Sequence, residues 1–247
     1  MATEVPDVAT EVPDVATPAP GLVEPSTEEE PSPGRWQWWD AAVPALLLAA
    51  FGGLLAGVLA GGPVISVDHQ VRSWVLAHSS ARLVRLSTAV TNVGSPGHSV
   101  IALAVVATFL GWRRRRTGPM LLSGLAAGVL AAAVLLIKMW VHRPGPELPM
   151  EGPLYAGYFP SGHTTSAVVC YGIIALLLVR RADRWHRWIP YAAGGGAGLL
   201  VGLCLIYSNF HWLSDVLAGW ALGGTLLWLA MLAASRLPTG TLSPGPD

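Results

Sequence analysis

The sequence predicts an all-α membrane protein: a bundle of six transmembrane helices behind a disordered N-terminal tail. Three observations carry this. Hydrophobic residues make up 52% of the chain and charged residues 12%, about half the charge of a soluble domain. The apolar residues fall in runs close to the roughly 20 residues that cross a bilayer. Arginines mark alternate loops between the runs, as expected of a protein inserted with its positive loops inside.

The elements follow in order. Residues 1–35 read as a disordered, acidic, Pro-rich tail. Ala-Thr-Glu-Val-Pro-Asp-Val occurs twice over residues 2–15, and Pro at every seventh place forbids a helix. The Pro/Glu-rich stretch to Gly34 is too polar to bury a core. The tail lacks the basic-then-apolar order of a cleaved leader, so the first span is expected to act as the targeting signal. The bundle occupies 36–236. Trp36, Trp38 and Trp39 form an interfacial belt ahead of span one, 41–63. Segment 64–85 carries Asp68, Arg72, Trp74, Arg82 and Arg85 and is expected to lie along the surface. Span two, 90–112, ends at Arg113, Arg114, Arg115 and Arg116. Spans three to six are expected at 118–141, 161–179, 188–207 and 212–234. Residues 237–247 form a short flexible tail. Cys170 and Cys204 fall inside apolar runs, where cysteine behaves as a small hydrophobe.

Six spans place Arg35, Arg113 to Arg116, Arg180, Arg181, Arg184, Arg187 and Arg236 on one side. That is ten of the fifteen basic residues, so this side is cytoplasmic and holds both termini. The protein is then a multi-pass protein of the cell membrane.

Three polar islands fall together on the opposite side: Lys138 to Pro144, Pro160 to His163, and His211 to Asp215. Ionisable groups at a membrane are functional candidates, and Lys138 is the single lysine among 14 arginines. His211 and Asp215 are four residues apart, one helical turn. Asp215 can therefore fix the imidazole tautomer and leave the other ring nitrogen basic. Read alone, the pair fits equally a helix end that neutralises itself. Ser161 and Gly162 open span four, where backbone N–H groups and the helix dipole favour an anion; His163 would stand beside it as a proton donor. Arg143 offers a fork matching phosphate oxygens, although Lys138 and Arg143 also suit interfacial anchors.

Together the islands resemble the type 2 phosphatidic acid phosphatase superfamily of membrane lipid phosphatases, in its bacterial integral-membrane branch. That signature runs Lys, six residues, Arg-Pro; then Pro-Ser-Gly-His; then Ser-Arg, five residues, His, three residues, Asp. Pro160 to His163 matches the second part, and His211 with Asp215 ends the third. Two positions depart: Gly145 stands where the first part has Arg, and Cys204-Leu205 replaces Ser-Arg.

The resemblance implies a metal-independent, two-step phosphoryl transfer on the extracytoplasmic face. His211 would be the nucleophile, forming a phosphohistidine; Asp215 would orient it; His163 would serve the leaving group and then water. Lys138, Arg143, Ser161 and Gly162 would hold the phosphate. The expected partners are a membrane lipid substrate and the bilayer, with no cofactor, no metal and no nucleic acid. An outward site favours a polyprenyl pyrophosphate over phosphatidate or phosphatidylglycerol phosphate. The alternatives are a phosphotransferase to an acceptor other than water and a non-catalytic lipid-binding homologue.

Overall fold

The structure, a computed structural model, describes residues 38–146, 157–179 and 188–236. The expected tails, 1–35 and 237–247, lie outside the described residues. What is described is all-helical: α1 (Trp38–Ala60), α2 (Pro63–His78), α3 (Ala81–Val93), α4 (Pro96–Arg114), α5 (Gly118–Val141), α6 (Gly162–Leu178), α7 (Ile189–Tyr207) and α8 (Leu213–Ser235).

Four helices are long and apolar enough to span by themselves: α1 (from Ala41), α5, α7 and α8. A fifth span results if α3 and α4, bent by 44° at their junction, count as one. The expected span four is α6, a shorter apolar helix of 17 residues, about 26 Å long, which falls short of the full hydrocarbon thickness. The expected start of span two at residue 90 is also corrected. α3 ends at Val93 with Gly94 as its C-cap, Ser95 Oγ caps α4 by accepting from the His98 N–H, and Pro96 occupies the first turn. Pro disfavours helix in the residue before it, so the chain breaks there and restarts.

α6 is the axis of the bundle, packed by α4, α5, α7 and α8. Val168, Val169, Cys170, Ile173 and Leu177 of α6 meet Leu103 and Leu110 of α4, Leu130 of α5 and Leu227 of α8 in one core. Apolar side chains that remain exposed, such as Leu46, Ile101, Leu121, Leu136 and Leu200, form the surface a bilayer would cover. The glycine at 219 lets α8 cross the start of α6. A Cβ there would sit 3.0 Å from the Ser161 carbonyl oxygen and from Thr164 Cβ.

The segment 64–85, expected to lie along the surface, forms α2 and the first turn of α3. α2 turns inward: Asp68 is 2% exposed and Val75 4%. At the far end of α6, the Arg114 side chain donates to the Leu177 carbonyl at 3.0 Å. The arginine-rich end of α4 thus lies at the opposite end of α6 from Ser161 and His163.

Candidate active site

The three polar islands converge at one end of the bundle. The chain leaves α5 through His142, which takes a left-handed conformation at φ 51° and returns its N–H to the Lys138 carbonyl. That C-cap turns Arg143 back toward the bundle. The Tyr158 N–H donates to the Arg143 carbonyl, bringing the approach to α6 alongside. Gly157 sits at φ 100°, and a Cβ there would lie 3.0 Å from the Lys138 carbonyl oxygen and 3.2 Å from the Arg143 nitrogen, a place only glycine fills without strain. Its own carbonyl accepts from Lys138 Nζ at 2.6 Å.

Ser161 caps α6, its Oγ accepting from Thr164 N and Thr164 Oγ1. Its N–H donates to the Asp215 carbonyl at 3.0 Å, which ties the second island to the third. A Cβ at Gly162 would lie 3.8 Å from Lys138 Cε, so the lysine passes beside this helix start.

His211 Nδ1 lies 3.2 Å from Asp215 Oδ2. A carboxylate only accepts, so Nδ1 carries the proton and Nε2 keeps its lone pair. The Trp212 N–H donates to the same Oδ2. Burial pushes the His211 imidazole below its ordinary range. The hydrogen bond and charge of Asp215 oppose this, and the charges of Lys138 and Arg143 reinforce it. Neutral, nucleophilic imidazole is the outcome. The His163 and His211 rings stand 6.4 Å apart between centroids. Both line a cavity of about 330 Å³ whose wall includes Thr91, Asn92, Tyr158 and Asn209.

Arg143, expected to hold phosphate, departs from that expectation. This side chain is 7% exposed, and its guanidinium is engaged by carboxylates. Nη1 donates to Asp215 Oδ1 at 2.6 Å and Ser214 Oγ at 2.7 Å, and Nη2 donates to Asp68 Oδ2 at 2.6 Å. Its planar fork suits a carboxylate as well as a phosphate, and two carboxylates are nearer. The Trp212 ring lies under it, 5.4 Å from the guanidinium carbon, and that indole N–H donates to the Pro144 carbonyl. The two signature positions without arginine are both filled. Leu205 lines the cavity wall, and a Cβ at Gly145 would run into the Tyr158 ring. Tyr158 in turn meets His211 edge-on at 5.2 Å.

Sequence reasoning missed Asp68, Ser214 and Tyr158. Asp68 Oδ1 accepts the Ser214 N–H at 2.9 Å and Oδ2 the Ser214 hydroxyl at 2.6 Å, bridging 146 residues. One signal was available: Asp68 is the sole acidic residue between 41 and 146.

With this geometry in place, comparison with known proteins is specific. The model of the PAP2 superfamily matches residues 119–238, which contain all three islands. Phosphatidylglycerophosphatase B of Bacillus subtilis is 26% identical over 178 residues, covering 71% of this chain and 87% of that protein. Undecaprenyl-diphosphatase of Sulfolobus acidocaldarius is 28% identical over 151 residues, covering 59% and 68%. The crystal structure of a transmembrane PAP2-type phosphatidylglycerolphosphate phosphatase from Bacillus subtilis superposes with a TM-score of 0.70 at 24% identity. It covers 80% of this chain and 98% of that one, a likeness of fold.

Proposed function

Because the chain belongs to the PAP2 superfamily, we propose that it is an integral membrane lipid phosphatase working without a metal through a phosphohistidine on His211. The single observation that carries this is the pair of imidazoles lining one cavity. His211 is held by Asp215 with Nε2 free, and His163 stands across the same cavity.

In the first step the Nε2 lone pair forms an N–P bond. The P–O bond to the leaving group breaks, its electron pair stays on oxygen, and His163 supplies the proton. In the second step water gives a proton to His163 and attacks phosphorus, and the N–P bond breaks to return His211. Asp215 offsets the imidazolium charge on His211 in between. Lys138 and the N–H groups at the start of α6 attract the phosphoryl oxygens. Ser161 and Gly162 shape that helix start. Arg143 serves the site through Asp215.

α6, although short, and the α3–α4 pair complete six spans, with both termini cytoplasmic and the site outside. The ends of α4 and α6 support this. Arg113 to Arg116 lie at the end of α6 away from His163, where the positive-inside rule puts the cytoplasm. An outward site suits a lipid carrier released outside, so a polyprenyl diphosphate is the favoured substrate. The relatives' names divide between a diphosphatase of this kind and a phosphatidylglycerophosphatase.

The test is phosphate release by purified protein, with chelator present, from a polyprenyl diphosphate, phosphatidylglycerophosphate and phosphatidate, beside His211→Ala. Release that survives chelator and vanishes in the variant supports the reading, and the fastest lipid names the substrate. Folded protein that releases nothing from any of the three contradicts it and favours a transferase or a non-catalytic homologue.

A further inference from the structure

The proposed reaction leaves one buried acid without a task. Asp68 belongs to α2, a helix that contributes nothing to the three islands. It is 2% exposed, and an ionised carboxylate persists at such depth only when paired and hydrogen-bonded. Its partners are Arg143, the Ser214 hydroxyl and the Ser214 N–H. Ser214 lies in the first turn of α8, so α8 begins against two carboxylates. Asp215 is its own, Asp68 comes from α2, and one guanidinium bridges them at 2.6 Å on each side.

We propose that Asp68 is a positioning residue for the nucleophile: by neutralising Arg143 it leaves the charge of Asp215 available to His211. Its catalytic consequence rests on the phosphatase reading; its electrostatic content concerns the free protein. Among the described residues, these two carboxylates and one guanidinium sum to one negative charge beside the imidazole. Without the Asp68 charge, Arg143 and Asp215 make a neutral pair, and the described residues offer less negative charge to offset the positive charge that His211 gains when it bonds to phosphorus. Without Arg143, two buried carboxylates face each other and His211 sees two negative charges.

The other groups facing His211 do not replace this balance. Lys138 on α5 is a cation, His163 on α6 is an imidazole, and Tyr158 meets the ring edge-on. Arg72 of α2 touches the turn before His211 by donating from Nε to Asn209 Oδ1 at 3.2 Å. α3 and α7 present the neutral Thr91, Asn92 and Leu205. Among these described neighbours, Asp68 and Asp215 are the two acids.

The experiment follows the His211 ring by NMR in full-length protein labelled with 15N-histidine, with its signals identified by their loss in His211→Ala. Four proteins are titrated: wild type, Asp68→Asn, Arg143→Gln and the double variant. Asp68→Asn should lower the His211 midpoint by about one pH unit and Arg143→Gln should raise it by a similar amount. The double variant, with one negative charge restored, should return to the wild-type midpoint. In turnover, Asp68→Asn should lower kcat about 10- to 100-fold, the usual range for a group that orients a ligand histidine from behind, with little change in KM. A folded single variant with the wild-type midpoint overturns the proposal, as does a double variant that tracks Asp68→Asn. If none of the three variants folds, the cluster is a folding staple and the proposal is likewise overturned. Wild-type protein that shows the expected titrations but hydrolyses no lipid would sink the phosphatase reading and leave this inference standing.

Discussion

The two sides of the cavity are built differently. On the His211 side every charge is tied down: Asp215 holds His211, Arg143 holds Asp215, and Asp68 holds Arg143, through bonds of 2.6 to 3.2 Å from α2, the α5 exit and α8. On the phosphate side the residues are mostly neutral. Leu205, Asn92 and Asn209 line the wall, and the one lysine gives a bond to the Gly157 carbonyl. The difference teaches that this chain invests its buried charge around His211 rather than along the opposite wall of the cavity. Phosphoryl transfer depends on both positioning and charge stabilisation, so each side can be weakened separately.

The largest effect should come from the tied side. His211→Ala is expected to lower kcat by about 10⁴-fold or more, as removal of a nucleophile does, measured as steady-state phosphate release. Asp215→Asn should cost about 10³- to 10⁴-fold by leaving the wrong tautomer; a loss below tenfold would break the comparison. On the loose side, Lys138→Ala removes a cation aimed at developing charge. It should lower kcat/KM by about 10²- to 10³-fold. A Lys138→Ala effect as large as that of His211→Ala would show that the grip matters as much as the nucleophile.

These sides were unequally legible in the sequence. His163, His211, Asp215 and Lys138 stand out because charge at the end of an apolar run is costly, and the structure gathers all four. Arg143 was visible but its engagement was not, since a guanidinium fork accepts phosphate and carboxylate alike. The choice depends on Asp68, which is 75 residues away. α2 reads as a surface segment because Asp68, Arg72 and His69 make it polar. That it turns Asp68 under α8 is a tertiary contact no local pattern encodes. The break at Gly94 and Ser95 was overlooked for a simpler reason: apolarity continues across it, while capping residues decide where the helix restarts.

Two smaller effects sharpen the contrast. Burial holds His211 below its ordinary pKa, so the folded chain keeps it neutral where the unfolded chain, near 6.5, begins to take up a proton. The acid limb of kcat/KM, which reports the free enzyme, should therefore fall below pH 6.5. By the same linkage, stability should decline as pH drops from about 6.5 toward the folded pKa. An acid limb above pH 7 would mean that Asp215 outweighs burial. The smallest effect is expected at Gly219→Ala, where a methyl meets the Ser161 carbonyl. Overpacking of this kind costs about 1–3 kcal/mol, readable as a lower midpoint in thermal unfolding.

The most direct test of the central claim is to quench the protein during turnover of a lipid labelled in its terminal phosphate. Label on the protein that is stable to alkali, labile to acid and absent from His211→Ala is the predicted result. Label that persists in His211→Ala, or rapid turnover with no protein-bound label in any quench, would contradict a reaction carried by His211.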